Sequence, residues 1–234
     1  MHLSFEQRDA LSALSLYMSA RRTAIRAAQT IRTPMSTEQA EDLRIHYSSY
    51  FLNLLAAVDL FVEKGSPLPP GFEARLGSAL VFSDHPDGKA NLGYLRELRN
   101  AVVHRGLNIA AAAHAPDNVP LIIAPKTLAT RSKSTPFDRF AFYVADLVVK
   151  CESVMPAAML DHLEASGILE LNVDPALAYV ETIMSISQSD AMPDWVKANA
   201  VTSITPQHLE DAQRSVTAAL RVTLSPIADL RSTI

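Results

Sequence analysis

Apolar residues recur at intervals of three and four along most of the chain, the period of a helix with one buried face. Leu11, Leu14, Met18, Ile25 and Ala28 follow Ser4 and Gln7, which have the S-x-x-Q spacing of a capping box. A helix is therefore predicted from Ser4 until "RTPMSTEQ", where Pro34 breaks it. Ser36 and Gln39 repeat the capping spacing. Beyond them Leu43, Tyr47, Tyr50, Leu54, Val58 and Phe61 form a second stripe, widened by Phe51, Leu55 and Val62. So wide an apolar face predicts burial against more than one neighbour. "GSPLPPG" ends this helix.

A short helix is expected over 72–82, then a turn-rich loop, "SDHPDGKAN", then a helix from about 90 to 105 with Gly106 in the position of a left-handed cap. "LNIAAA" and "VPLIIA", separated by "APDN", suggest a small hairpin. "TRSKSTP" reads as a polar, basic loop, and Thr135-Pro136 as a cap and first helical residue opening a helix that carries Phe140, Val144, Leu147 and Val148. After Gly167, Asp174-Pro175 and Thr205-Pro206 repeat the cap-proline signal, so two or three more helices should fill 175–225. The expected fold is all-α. Residues 1–168 make an antiparallel helical bundle with a small hairpin insertion, and 169–234 a C-terminal helical extension.

Composition supports this picture. Of 234 residues 48% are hydrophobic and only 7 are glycine, which favours a helical core over a sheet. The single cysteine, Cys151, excludes an internal disulfide. No apolar run approaches the roughly 18 residues of a membrane span, since Asp146 interrupts "AFYVADLVV", and "MHLSFEQRDALS" has charges where a signal peptide needs apolar residues. The chain is expected in the cytoplasm, with no membrane partner. Its net charge of −4 is unevenly spread. Residues 1–150 hold 17 Lys/Arg against 14 Asp/Glu, and residues 151–234 hold 4 against 11. Such a balance argues against a protein that coats DNA but permits a local basic patch.

Chemistry concentrates in "YLRELRNAVVHRG", residues 94–106. On a helix Leu92, Leu95, Leu98 and Val102 share one face, Arg99 lies at its edge, and Asn100 and His104 stack on the open side. An arginine at the edge of a buried stripe needs an anion or acceptor. A histidine in the last turn has its protonated form favoured by the helix dipole. A fixed cation, an amide and an imidazole on one helix suit a phosphodiester.

"LRELRNAVVHRG" is similar to the signature of the HEPN superfamily (higher eukaryotes and prokaryotes nucleotide-binding domains): Arg, usually a polar residue, then His after four to six intervening residues. Arg99, Asn100 and His104 match it, with the frequent Arg-Asn start and the final His-Arg-Gly. The resemblance covers roughly the first 165 residues and implies a bundle of four or five helices. It also implies a metal-independent, homodimeric endoribonuclease, often a toxin or antiviral effector. In such enzymes the histidine moves protons and the arginine holds the scissile phosphate. The attacking 2′-oxygen would leave a 2′,3′-cyclic phosphate, Arg99 would neutralise charge on the phosphoryl oxygens, and a two-fold dimer would supply a second histidine. RNA, a second copy and an antitoxin protein are the expected partners; no cofactor and no metal are expected. Many members of the superfamily are non-catalytic, so the alternative is a nucleotide-binding or protein-interaction module in which Arg99 pairs inside the bundle and His104 serves the helix end.

Other side chains admit two readings. Arg21, Arg22 and Arg26 could track an RNA backbone or snorkel from a bundle edge. Arg105, beside His104, and Lys126, Arg131 and Lys133, before Thr135, are further candidate substrate contacts. Asp84, His85 and Asp87 suggest a turn rather than a metal site, His46 and His162 ordinary helix positions, Glu97 a solvated acid or else a partner of Arg96 or Arg105 or an orienter of the site, and Trp195 packing within the extension. No G-x-S-x-G, Walker loop, dinucleotide-binding glycine turn or H-E-x-x-H occurs.

Overall fold

The computed structural model describes residues 2–111, 113–114, 118–130, 133–170, 173–227 and 230. Helices dominate: α1 (Phe5–Thr30), α2 (Thr37–Val62), α3 (Phe72–Ala79), α4 (Gly88–Arg105), α5 (Val144–Ala165), α6 (Pro175–Gln188), α7 (Asp194–Ser203) and α8 (Pro206–Thr223). Both capping boxes form. Ser4 Oγ accepts from the Gln7 N–H while Gln7 Oε1 accepts from the Ser4 N–H, and Ser36 and Gln39 do the same. Asp174 and Thr205 cap α6 and α8, each with proline as the next residue.

Helix α1 packs along α2, and α2 along α4. Their stripes meet in one core that includes Leu11, Leu14, Met18, Leu43, Tyr50, Phe51, Leu54 and Leu98. Burial this complete drives folding, at about 1.5–3 kcal/mol for each large apolar side chain removed from water. Helix α2 is long and apolar enough to cross a membrane by length and mean hydropathy, 1.3, whereas the sequence suggested no segment near that threshold. Here its main apolar stripe packs against α1, α3 and α4, while Ile45 and Leu52 stay exposed.

The segment between α4 and α5 departs from expectation. Two short antiparallel pairs occupy it: β1 (Ala113–His114) with β2 (Leu121–Ile122), and β3 (Thr127–Ala129) with β4 (Ser134–Pro136). The first hairpin starts later than "LNIAAA"; Ile109 from that stretch is buried instead. The "TRSKSTP" stretch supplies β4, and Thr135-Pro136 opens no helix. Leu128 pairs with Thr135, and residues 137–143 form no helix, with bends at Phe140 and Phe142, before α5 begins at Val144. The long-range reason is aromatic. Phe140 is buried with its ring 5.2 Å from Phe82 and 6.1 Å from Tyr94, and helical backbone from Pro136 would withdraw it. The short helix expected over 72–82 also stops at Ala79.

The extension is not a separate layer. Helix α8 returns to α1, and Leu220, Leu224, Ile227 and Leu230 join the main core. Helices α6 and α7 are different: α6 buries only Ala178, and α7 buries no residue.

Candidate functional site at the end of α4

Several contacts fix α4. Asp87 caps it by accepting from the Ala90 N–H at 3.0 Å, and Asn91 donates to the carbonyls of Leu80 and His85. At Gly88 a Cβ would lie 2.0 Å from the Gly77 oxygen, so α3 and α4 meet at a contact only glycine permits. The buried Tyr94 hydroxyl donates to the Pro125 carbonyl at 2.9 Å, and burial holds its pKa well above the ordinary tyrosine value. At the other end Gly106 adopts φ 67°, and the Leu107 N–H reaches back to the Ala101 carbonyl at 3.0 Å. A rigid helix thus carries the Arg-Asn-x-x-x-His segment to its last turn.

Arg99 finds its acceptor within the chain. Its Nη1 donates to Asp59 Oδ2 of α2 at 2.9 Å, and the two side chains are 20% and 25% exposed. Arg99 Nε is buried with no hydrogen-bond partner among the described residues. Asn100 is half-buried and His104 exposed. Asn100 and His104 project ~40° apart, whereas Arg99 and His104 diverge by ~140° with a rise of ~7.5 Å between them. One helix therefore places a clamped cation and an accessible imidazole on different faces rather than aiming both at one atom. Guanidinium donors beyond the one spent on Asp59 can hold a phosphoryl oxygen, and the imidazole can accept or return a proton. Arg105 pairs with Glu97 at 3.4 Å, so Glu97 is not merely a solvated acid.

The remaining candidates scatter. Arg21 is removed from any substrate surface: it has no exposure, its Nη1 lies 3.2 Å from Glu152 Oε1, and its Nη2 donates to the Thr223 carbonyl. The apolar stripe of α1 carries it inward, where a buried guanidinium persists only beside a counter-charge. Arg22 donates to the carbonyls of Val222 and Ser225, closing the C-terminal end of α8. Arg26 is exposed. Lys126 and Lys133 are exposed on and beside the second hairpin, and Arg131 lies outside the described residues. His162 bonds the Pro69 carbonyl at 2.9 Å beside Phe61 and Phe72. Asp84 and His85 sit in the turn before α4. Trp195 does not pack: it is 69% exposed.

Sequence reasoning passed over Asp59 and Glu152. Glu152 accepts from the Tyr50 hydroxyl at 2.9 Å; burial pushes its carboxyl pKa up against the opposing pull of Arg21. Both acids were visible as charges inside apolar stretches, Asp59 alone in "LAAVDLFV" and Glu152 two positions after Lys150 in "LVVKCESVM". A charge there predicts a buried partner.

The chain matches no protein-family model, no curated protein and no solved structure.

Proposed function

We propose that the protein is a metal-independent endoribonuclease of HEPN type that acts in the cytoplasm as a toxin or phage-defence effector. The observation carrying this reading is the Arg99–Asp59 clamp on the same helix as an exposed His104 in its last turn. Asp59 holds the guanidinium at a fixed place, so charge stabilisation needs no rearrangement as the phosphorane forms. His104 takes the 2′-proton, the 2′-oxygen attacks the adjacent phosphorus, the P–O5′ bond breaks, and the partner's His104 protonates the departing 5′-oxygen, leaving a 2′,3′-cyclic phosphate and a 5′-hydroxyl. Asn100, one turn from His104, orients the imidazole or a phosphate oxygen, and Arg105 and Lys126 lend positive charge.

A second copy completes the site. Arg99 and His104 of one chain diverge, so a two-fold axis near α4 brings the imidazole of one chain towards the guanidinium of the other. The surface beside His104 supports such an interface: Ile45, Leu52, Val102, Val103 and Leu107 line a groove of about 350 Å³ between α2 and α4, flanked by Arg44. Ile45 and Val103 are exposed.

The non-catalytic reading has one specific observation in its favour. Arg99 is already neutralised by Asp59, as a purely architectural arginine would be. Incubating purified protein with RNA in EDTA separates the two. The enzyme yields fragments ending in 2′,3′-cyclic phosphate, and His104→Ala slows cleavage by ~10²–10⁴-fold with unchanged melting. Intact RNA with wild-type protein at dimeric concentrations leaves the binding module.

A further inference from the structure

At the opposite end of α4, ~24 Å along its axis from His104, an open cleft of about 420 Å³ is lined by Asp84, His85, Arg139, Phe142, Asp146 and Lys150. Its size falls within the ~300–1,000 Å³ range of small-molecule sites. The charges are balanced, two cations and two carboxylates. Asp84, His85, Arg139 and Asp146 form no ion pair or side-chain hydrogen bond among the described residues. Asp146 and Lys150 are four residues apart on α5, the spacing at which an ion pair normally forms. Lys150 instead donates to the Phe140 carbonyl at 2.6 Å and sits 5.1 Å from the centre of the Phe82 ring. An ammonium has three protons, so two remain free. Arg139 lies 4.9 Å from the centre of the half-exposed Phe142 ring, a stack that stiffens the guanidinium without neutralising it. Beneath them Phe82 and Phe140 stack at 5.2 Å.

We propose that this cleft binds a zwitterion with an aromatic body, a free aromatic α-amino acid. A simple anion would meet two carboxylates and a simple cation two cations. A molecule carrying one carboxylate and one ammonium satisfies both sets, its carboxylate on Arg139 and Lys150 and its ammonium on Asp84 and Asp146. Its ring covers the apolar surface of Phe142, Ala141 and Val149. The site shares no residue with the Arg99–His104 segment and stands whether or not the protein cuts RNA.

Calorimetric titration of the full chain with L-phenylalanine tests this. Saturable one-to-one binding is expected, and two analogues each missing one charge, N-acetyl-L-phenylalanine and L-phenylalaninamide, should each bind ~10-fold or more weaker. Arg139→Ala and Asp146→Asn, which alter residues outside the core, should weaken binding of the free amino acid by a similar factor. No saturable heat up to about 10 mM ligand overturns the proposal. So does equal binding of both blocked analogues, or tighter binding of AMP or GMP than of phenylalanine. The analogue comparison is made on the wild-type chain, so it decides the matter even if a variant fails to fold.

Discussion

The helices of the bundle and the α6–α7 pair are built by the same local rules and held by different means. Helix α2 buries nine side chains, among them Tyr50, Phe51 and Leu54, and its neighbours leave little of its apolar stripe to water. Helix α6 is capped by Asp174, whereas α7 starts at Pro193 without a side-chain cap, and the two keep Leu177, Val180, Met184, Trp195 and Val201 exposed. Besides packing against α8, α6 is tied to the bundle by polar contacts: Arg8 Nη1 donates to Glu181 Oε2 at 2.9 Å and its Nη2 to the Ala178 carbonyl at 3.4 Å, and His2 Nδ1 accepts from the Asp174 N–H. Caps and propensity thus decide that a helix forms, while covered apolar area decides how firmly it stays. Opening free energy should accordingly fall from the bundle towards α6–α7.

The largest effect is expected where a charge pair is buried inside the bundle. Arg21→Met leaves Glu152 without its counter-charge in the core and should lower unfolding free energy by ~3–5 kcal/mol, read by urea denaturation. Adding Glu152→Leu should restore most of the loss; if it does not, the pair contributes more than mutual neutralisation. Next, Leu54→Ala in α2 should cost ~2–5 kcal/mol, whereas Leu177→Ala in α6 should change stability by less than ~0.5 kcal/mol. Equal costs would erase the contrast between the regions. Smaller again, Arg8→Ala should cost ~1.5–3 kcal/mol through its charged hydrogen bonds. Hydrogen exchange should locate that loss in α6, with protection in α2 and α4 unchanged. Finally, two native reporters read the contrast without mutation. Cys151, the sole cysteine, is buried and its thiol pKa is pushed up by burial, so a thiol reagent should modify it only as the bundle opens. Trp195, the sole tryptophan, should be quenched by iodide almost as freely as the amino acid in water. Quenching that falls as protein concentration rises would mean that a second copy covers α7.

The same contrast separates what the residues reveal from what they hide. Ser4/Gln7, Ser36/Gln39, Asp174-Pro175 and Thr205-Pro206 each act within four residues, and each marks a helix start in the structure. Thr135-Pro136 carries the same signature and yields strand, because pairing with 127–129 and burial of Phe140 outweigh a local preference. Of the site, the helix, its Gly106 terminator and the open position of His104 follow from periodicity. Asp59 lies 40 positions before Arg99 and Glu152 lies 102 after Tyr50, so no local pattern links them. Trp195 shows the reverse failure: aromaticity suggests burial, yet α7, which packs against α6, leaves it exposed.

The clasp that Arg21 and Arg22 make on the end of α8 also has an order in time. During synthesis Arg21 and Glu152 emerge well before Thr223, the residue whose carbonyl Arg21 takes. The 71 residues from Glu152 to Thr223 occupy roughly 4–14 s at ~5–20 residues per second. Through that interval the nascent bundle lacks Leu220, Leu224 and Ile227 over its seam, and water reaches a charge pair that the finished protein excludes from solvent. Helix α8 therefore seals α1 only after the rest of the bundle has been made, and a chain cut short before α8 would remain an open bundle with a wet, charged groove along α1.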